Sequence, residues 1–569
     1  MKIVAFLAAL RTAAATSCRC FPGDACWPTH EVWQRFNDSV DGRLIATVPL
    51  GTSCHAPHYD ENLCDQLQTQ WTIPEPHYQS SSSIMAPFFA NDSCDPFHPV
   101  DKPCLLGNYI SYAVNVSQPS HVSKAIIFAN KNNVRLVIRN TGHDYQGKST
   151  GAGALGLWMH HLKKIEIDPK YSDEFYSGPA ITIGAGVQGV EAYEAADRAG
   201  YQVVGGECPS VGLAGGYTQG GGHSALSSRY GLAADQTLAW EVIDGEGRHV
   251  IATRDNEHSD LYWALSGGGG GTYGVVLSLT AKAHLGTPVS GLNLTFSAQR
   301  VSKDTFYKAV GLFNTVQPAL VDAGAMAISM FTNETFILSP LTGPGVPAKE
   351  LRRLLQPFTD DLNTLGIKYT LYSAEFSSYL TQFSAMQGAI EVGIAQYGGW
   401  LIPRSVVETN NDGLTSAYRH IVEDGGTVIN VGLNVSPDVA GDVQNAVLPA
   451  WRDALIHTTL TTPWKWNAPG EMIEWQRKMT EDYVPRLAAL APESGAYLNE
   501  ADFRQPDFQQ AFYGANYDRL RAVKVKYDPN DLFYALTAVG SDGWVQRKDG
   551  RLCHSTEAPW SPDSRGKEL

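Results

Sequence analysis

Beyond its first residues the sequence has no run of the roughly 18 to 20 apolar residues that a spanning helix needs, so a helical membrane protein is not expected. It also lacks an excess of positive charge. Lys and Arg total 43 against 58 Asp and Glu, and the formal net charge of -15 leaves no general attraction for nucleic acid or an anionic bilayer. Cysteine is scarce after residue 104, where Cys208 and Cys553 are the last two of nine, and no C-x2-C pair is matched by a second. A zinc site is therefore discounted, and no metal is expected. Charged residues are few at 18%, while 43% are hydrophobic and 10% aromatic, which excludes a disordered chain. Internal repeats and low-complexity tracts are absent. At about 150 residues per domain, 569 residues leave room for three to four domains or two large ones.

What is present is glycine, 54 residues of it, gathered in short runs around 205–222 and 266–274 where backbone can approach a ligand closely. Lys2, the apolar stretch Ile3 to Leu10 and the small residues Ala13, Ala14 and Ala15 resemble a signal peptide over 1–17, although Arg11 interrupts it. A secreted protein that meets no membrane or nucleic acid is expected. Six N-x-S/T sequons, at Asn37, Asn91, Asn115, Asn293, Asn333 and Asn434, agree with that compartment and predict a glycoprotein. Seven cysteines precede residue 105. In an oxidising compartment they predict a disulfide-stapled N-terminal segment, 18–110, with Cys553 as a candidate to fasten the tail to it. Eight cysteines can pair and one is left. By position that one is Cys208, either a buried free thiol or a point of covalent attachment.

The pattern of elements is mixed. Val122, Ala125, Ile126 and Ala129 give one helical face after a capping Ser120, and Val134 to Ile138 reads as a strand ending in the turn that carries His143. From about 290 to 490 the character changes. Ala327 to Phe331 and Thr427 to Val435 read as strands, and Leu351, Leu354, Leu355, Phe358, Leu362 and Leu365 form a core-facing helical stripe. Gly184-Ala185-Gly186-Val187-Gln188-Gly189 is a literal G-x-G-x-x-G with Glu207 some twenty residues on, which would suit a dinucleotide fold. Tight packing at a strand-to-helix turn explains the same glycines, and Cys208-Pro209 directly after the acidic residue disfavours the dinucleotide reading.

Three glycine-rich segments, around Thr141-Gly142-His143, from Gly205 to His223 and from Ser266 to Gly271, could cradle a pyrophosphate and wall a large planar ligand with backbone N–H groups. Their residues resemble a known family. Arg139–Ser149 (RNTGHDYQGKS), Cys208–Gly212 (CPSVG), Gly231–Asp235 (GLAAD), Asp260–Gly271 (DLYWALSGGGGG), Asn516–Leu520 (NYDRL) and Lys526–Pro529 (KYDP) are similar to the berberine-bridge-enzyme-like branch of the vanillyl-alcohol-oxidase flavoproteins, in its secreted fungal form.

The resemblance implies an α+β fold: a two-part FAD-binding domain of the PCMH type over 111–289, a substrate domain with an antiparallel sheet and covering helices over 290–490, and a C-terminal segment, 491–569, that returns to the FAD domain. It implies FAD bonded through His143 at the flavin 8α carbon and through Cys208 at C6. Thr141, Gly142, Asp144, Gly147, Gly212, Gly215, Gly216, Gly222, Asn516 and Tyr517 would bind it. Imidazole and thiolate are suitable nucleophiles for such bonds. Relatives carry Tyr-x-Asn-Tyr near the C-terminus, the last tyrosine implicated as base. Here Tyr497-Leu498-Asn499-Glu500 places a glutamate there, so Glu500 is the expected base, with Tyr497 beside it. Tyr145, Tyr217, His223, Tyr397 and Arg404 are further polar candidates without assigned roles. Val211, small and aliphatic, falls where the family gates oxygen. The expected activity is hydride transfer from an alcohol, carbohydrate or secondary metabolite to FAD and on to oxygen, giving peroxide. The alternatives are a dehydrogenase, an oxidative cyclase, or a secreted binding glycoprotein without catalysis.

Overall fold

The computed structural model describes residues 18–555; the expected signal peptide lies outside them. Strands Tyr112–Asn115, Leu155–Trp158 and Leu136–Arg139 run parallel, with Leu44–Ala46 antiparallel on one edge. Parallel strands need a crossover, and helix Pro119–Asn132 provides one. Its first turn begins at Pro119 after an extended Gln118, so the expected Ser120 cap is displaced by a proline whose fixed φ suits that position. Asn133 in the left-handed region ends it. Val122, Ala125, Ile126 and Ala129 are fully buried against this sheet.

The second sheet is antiparallel, in the order Ile165–Ser172, Ser177–Gly184, Val275–Lys282, Thr237–Ile243, His249–Thr253. The G-x-G-x-x-G therefore follows a strand with antiparallel neighbours, where a dinucleotide fold needs parallel ones. A side chain at Gly186 would strike the carbonyl of His160 and one at Gly184 that of Leu162, so these glycines serve close backbone packing.

A third sheet has seven strands, all antiparallel, in the order Tyr369–Phe376, Val289–Ser297, Thr335–Pro344, Met326–Phe331, Thr427–Gly432, Ala454–Pro463, Ala395–Pro403. Helix Lys303–Asp322 packs beside both Ala348–Thr364 and Arg404–Glu423. Leu351, Leu355, Phe358 and Leu362 are buried and Leu354 and Leu365 partly so, which makes the stripe core. Each fully buried member contributes roughly 1.5 to 3 kcal/mol.

The C-terminal segment rejoins the first half. Helix Tyr517–Tyr527 packs on Ser259–Leu265, the Gln146 amide donates to the Leu498 carbonyl at 2.6 Å, and the Thr537 hydroxyl to Gln146 Oε1 at 3.2 Å. Disulfides join Cys18–Cys553, Cys20–Cys26, Cys54–Cys64 and Cys94–Cys104. The first ties the two ends of the described chain, as expected of Cys553, and Cys208 is the free one.

Candidate active site

Strand Leu136–Arg139 ends in a loop that Asp144 organises. One carboxylate oxygen accepts from the backbone N–H groups of Gln146 and Lys148 at 3.2 and 2.6 Å, and the other from Ser149 at 3.1 Å. Gly142 turns there at φ +87, where a Cβ would lie 2.5 Å from the Arg139 guanidinium. The loop has one shape, and that shape presents His143. The Cys208 loop is pinned to the start of helix Gly189–Arg198, with Gly189 N–H donating to the Val211 carbonyl at 2.9 Å and Val190 N–H to Pro209 at 3.0 Å. In the third loop Gly267 and Gly269 donate to the Gln219 carbonyl at 3.1 and 2.8 Å. Around a cavity of about 360 Å3 the three loops meet.

On the cavity lining His143 Nε2 lies 2.8 Å from Ser210 Oγ and 3.9 Å from Cys208 Sγ. Burial, with His77 and Arg139 nearby, pushes the His143 imidazole down to about 3, so it is a neutral nucleophile. Burial pushes the Cys208 thiol up. Along the walls Gly216 and Gly271 have open space where a side chain would stand. Asn140 Oδ1 and Gln219 Oε1 are buried without a hydrogen-bond partner. A bare glycine cradle, two unspent polar atoms and paired side-chain nucleophiles fit a flavin.

Glu500 also lines the cavity, its side chain 26% exposed. Gly399 makes room, because a Cβ there would lie 2.5 Å from the Thr458 carbonyl and 3.2 Å from that of Glu500. His223 Nε2–H donates to Glu500 Oε1 at 3.0 Å, and His457 Nε2–H to Oε2 at 2.9 Å. The Thr459 hydroxyl donates to Oε2 at 3.2 Å. His457 and Thr459 reach the same carboxylate because alternate residues of strand Ala454–Pro463 share a face. Burial opposes the ionised form of Glu500, but the two imidazoles outweigh it and hold the carboxyl well below its usual range. His223, though buried, is raised well above an ordinary histidine by Glu500 and Glu207, whereas burial lowers His457. His223, His457 and Glu500 present ligand atoms within 4.8 Å of one another, as do Asp92, Asp95 and His98 elsewhere. In the first set the direct hydrogen bonds already satisfy the carboxylate.

The structure brings together Thr141, Gly142, His143, Asp144, Cys208, Val211, Gly212, Gly215, Gly216, Tyr497 and Glu500 on one lining. Gly147, Gly222, Asn516 and Tyr517 lie outside it. Gly147 packs on the Phe89 ring, Gly222 against Tyr217 and Ala233, Asn516 donates to the Ala446 and Val447 carbonyls, and the Tyr517 hydroxyl faces Asp542 at 3.2 Å. Tyr497 accepts from Asn499 Nδ2 at 2.8 Å, and burial holds its phenol protonated. Of the candidates without a role, Tyr145 and Tyr397 stack at 3.7 Å in the cavity, and Tyr217 and His223 also line it. Arg404 does not, being paired with Asp322. Sequence reading missed His457 and Thr459, which sit in a strand without a motif, and gave Glu207 only its unfavoured place in a dinucleotide motif.

The FAD binding domain family matches residues 110–253, and the family described as berberine and berberine like matches 496–540. The FAD-linked oxidoreductase patO of Aspergillus clavatus is 51% identical over 546 residues, covering 95% of each chain. The VAO-type flavoprotein oxidase VAO615 of Thermothelomyces thermophilus is 42% identical over 551 residues, covering 95% of this chain and 96% of its own. A crystal structure of VAO-type flavoprotein MtVAO615 from Myceliophthora thermophila superposes with a TM-score of 0.90 at 41% identity, over 95% of this chain and all of that one. Glucooligosaccharide oxidase of Acremonium strictum, described with a 6-S-cysteinyl, 8α-N1-histidyl FAD, shares the fold at a TM-score of 0.63 and 19% identity, over 76% of this chain and 92% of its own.

Proposed function

Because this chain belongs to the FAD-linked oxidoreductases of the vanillyl-alcohol-oxidase type, in their berberine-bridge-enzyme-like branch, we propose that it is a secreted oxidase of alcohols, including carbohydrate or secondary-metabolite alcohols, with oxygen as acceptor and peroxide as product. One observation carries the reading: Glu500, its carboxylate held by two imidazoles, lines the same cavity as His143 and Cys208. FAD, when bound, supplies the hydride acceptor and, through oxygen, the route to peroxide.

The residues of the chain do the rest. His143 and Cys208 would hold the cofactor through two bonds, in keeping with a neutral imidazole 3.9 Å from a free thiol. Glycine loops admit its planar body. Glu500 accepts the substrate hydroxyl proton on a carboxylate oxygen as the C–H hydride departs and the carbonyl forms. His223, His457 and Thr459 fix that carboxylate in place. The stacked rings of Tyr145 and Tyr397 close the wall against a flat or apolar substrate, and Val211 leaves space for oxygen. Residues 111–289 with the described part of 491–569 would form the cofactor half, and 290–490 the substrate half. Four disulfides agree with an oxidising compartment.

The purified protein, denatured in acid and freed of small molecules, is expected to stay yellow and to carry one added FAD mass. His143→Ala or Cys208→Ala alone should keep the flavin, and the double variant release it. Free FAD from the wild type overturns the attachment. Flavin reduced by an alcohol but reoxidised without peroxide overturns the oxidase assignment in favour of a dehydrogenase or cyclase.

A further inference from the structure

Glu207 has no part in the reading above, yet it stands at the edge of the same machinery. It precedes Cys208, its side chain is 16% exposed, and its Oε1 is buried without a hydrogen-bond partner. Oε2 lies 3.4 Å from His223 Nδ1, an ion-pair distance rather than a strong hydrogen bond. From the opposite side of that ring Nε2–H donates to Glu500 at 3.0 Å. A single imidazole thus separates two carboxylates brought from segments 293 positions apart in sequence (500 minus 207).

Two carboxylates in a partly desolvated pocket repel each other, and a proton shared through the ring between them relieves both. The other titratable groups around them offer no competing cation. The Tyr497 ring lies 5.5 Å from His223 and 5.4 Å from His457, and the Tyr217 hydroxyl donates to the His223 carbonyl at 2.7 Å. Tyr145 and Tyr397 face Glu500, while Tyr193, Tyr379 and Cys208 face Glu207. Burial holds these phenols and the thiol in their neutral forms. His457 gives its Nε2–H to Glu500; neither its Nδ1 nor that of His223 has a hydrogen-bond partner, but the His223 Nδ1 lies 3.4 Å from Glu207 Oε2 and burial lowers His457, which suits a neutral ring there. The countercharge is left to His223.

Resting on the reading of Glu500 as proton acceptor, we propose that Glu207 is a positioning residue for the proton transfer: it keeps His223 doubly protonated, and the imidazolium keeps Glu500 ionised and aimed at the substrate hydroxyl. Glu207 acts through His223 and touches no reacting atom. Replacing it by glutamine keeps its shape and removes one of the two charges that make His223 a cation.

The holoprotein labelled with 15N-histidine tests this by NMR between pH 5 and 9, with the His223 signal identified by its loss in His223→Gln. In the wild type His223 should remain an imidazolium through neutral pH. In Glu207→Gln its titration midpoint should fall by at least about one pH unit, and Glu207→Asp, which restores the charge, should recover most of the shift. The acid limb of flavin reduction by a panel of primary and secondary alcohols should move up with the loss of the cation, and the Glu207→Gln/His223→Gln double variant should match His223→Gln. An unchanged His223 midpoint in both Glu207 variants, or a neutral wild-type ring at pH 7, overturns the proposal. Failure of the underlying reading is distinct: Glu500→Gln that is still reduced at the wild-type rate removes the acceptor while leaving the His223 shift intact.

Discussion

Two groups of residues on the cavity lining are built by different means. The group at His143 and Cys208 is made of backbone: left-handed glycines, an Asp144 turn and carbonyls pinned by N–H groups within short stretches of chain. The group at Glu500 is made of side chains that meet from three segments, one carrying Glu207 and His223, one His457 with Thr459, and one Glu500. A local turn can be specified by a dozen consecutive residues, whereas a charge network exists only when a whole sheet has formed. The backbone group should therefore fail through shape, and the side-chain group through charge.

The largest effect expected from breaking this contrast is at Glu500. Glu500→Gln keeps the volume and removes the proposed proton acceptor, so the rate of flavin reduction should fall by about 10^2 to 10^4, and flavin attachment after denaturation should match the wild type. Rapid-mixing absorbance under anaerobic conditions measures it. A fall of less than threefold would mean that the hydroxyl proton leaves by another route.

Next is Gly142→Ala in the backbone group. The new Cβ must occupy a left-handed turn and meet the Arg139 guanidinium, at a cost of about 1 to 3 kcal/mol. Chemical denaturation should show that loss, and a smaller share of the protein should retain flavin after acid. Wild-type stability with full flavin retention would show that the loop tolerates another path, and the contrast between shape and charge would fail.

How much of this was legible in sequence follows the same division. The motif from Arg139 to Ser149 and the glycine runs announced the backbone group because the physical requirement, positive φ and close backbone approach, is written in consecutive residues. The odd cysteine was legible by position alone, and the four disulfides leave Cys208 free. Glu500 was legible only through its place in a family pattern. His457 was not legible at all. It is one residue in the strand Ala454–Pro463, and its role depends on Gly399 of the adjacent strand letting the 500 turn settle over the sheet. Glu207 was visible only as the acidic residue of a dinucleotide motif that its neighbours disfavour, since an acidic residue twenty positions after a glycine motif has the same spacing whether it meets a ribose or an imidazole. Asn516 and Tyr517 show the converse: they belong to the strongest C-terminal motif, yet their bonds go to Ala446, Val447 and Asp542.

The smallest effect sharpens the contrast through pH. Close to the backbone group His77 is buried, accepting from Ser83 Oγ at Nδ1 and donating from Nε2 to the Trp71 carbonyl, both at 2.7 Å, and burial pushes its pKa down to about 4. A histidine kept neutral in the fold but near 6.5 when unfolded binds fewer protons native than unfolded between those values. Its penalty therefore grows as pH falls from about 6.5 towards 4, with a limiting slope of about 1.4 kcal/mol per pH unit. His223 has the opposite sign. Its folded pKa is raised, so its contribution is fully present below about 6.5 and is lost as pH rises through the higher folded value. Glu500, with a depressed folded value, keeps its full contribution above about 4.5 and loses it progressively as pH falls below that towards the folded value. Unfolding free energy measured from pH 8 to 4 should decline on the acid side in a way that His77→Gln flattens and His223→Gln does not. If His77→Gln leaves the acid slope unchanged, the lability belongs to other residues, and the two groups differ in architecture without differing in their response to protons.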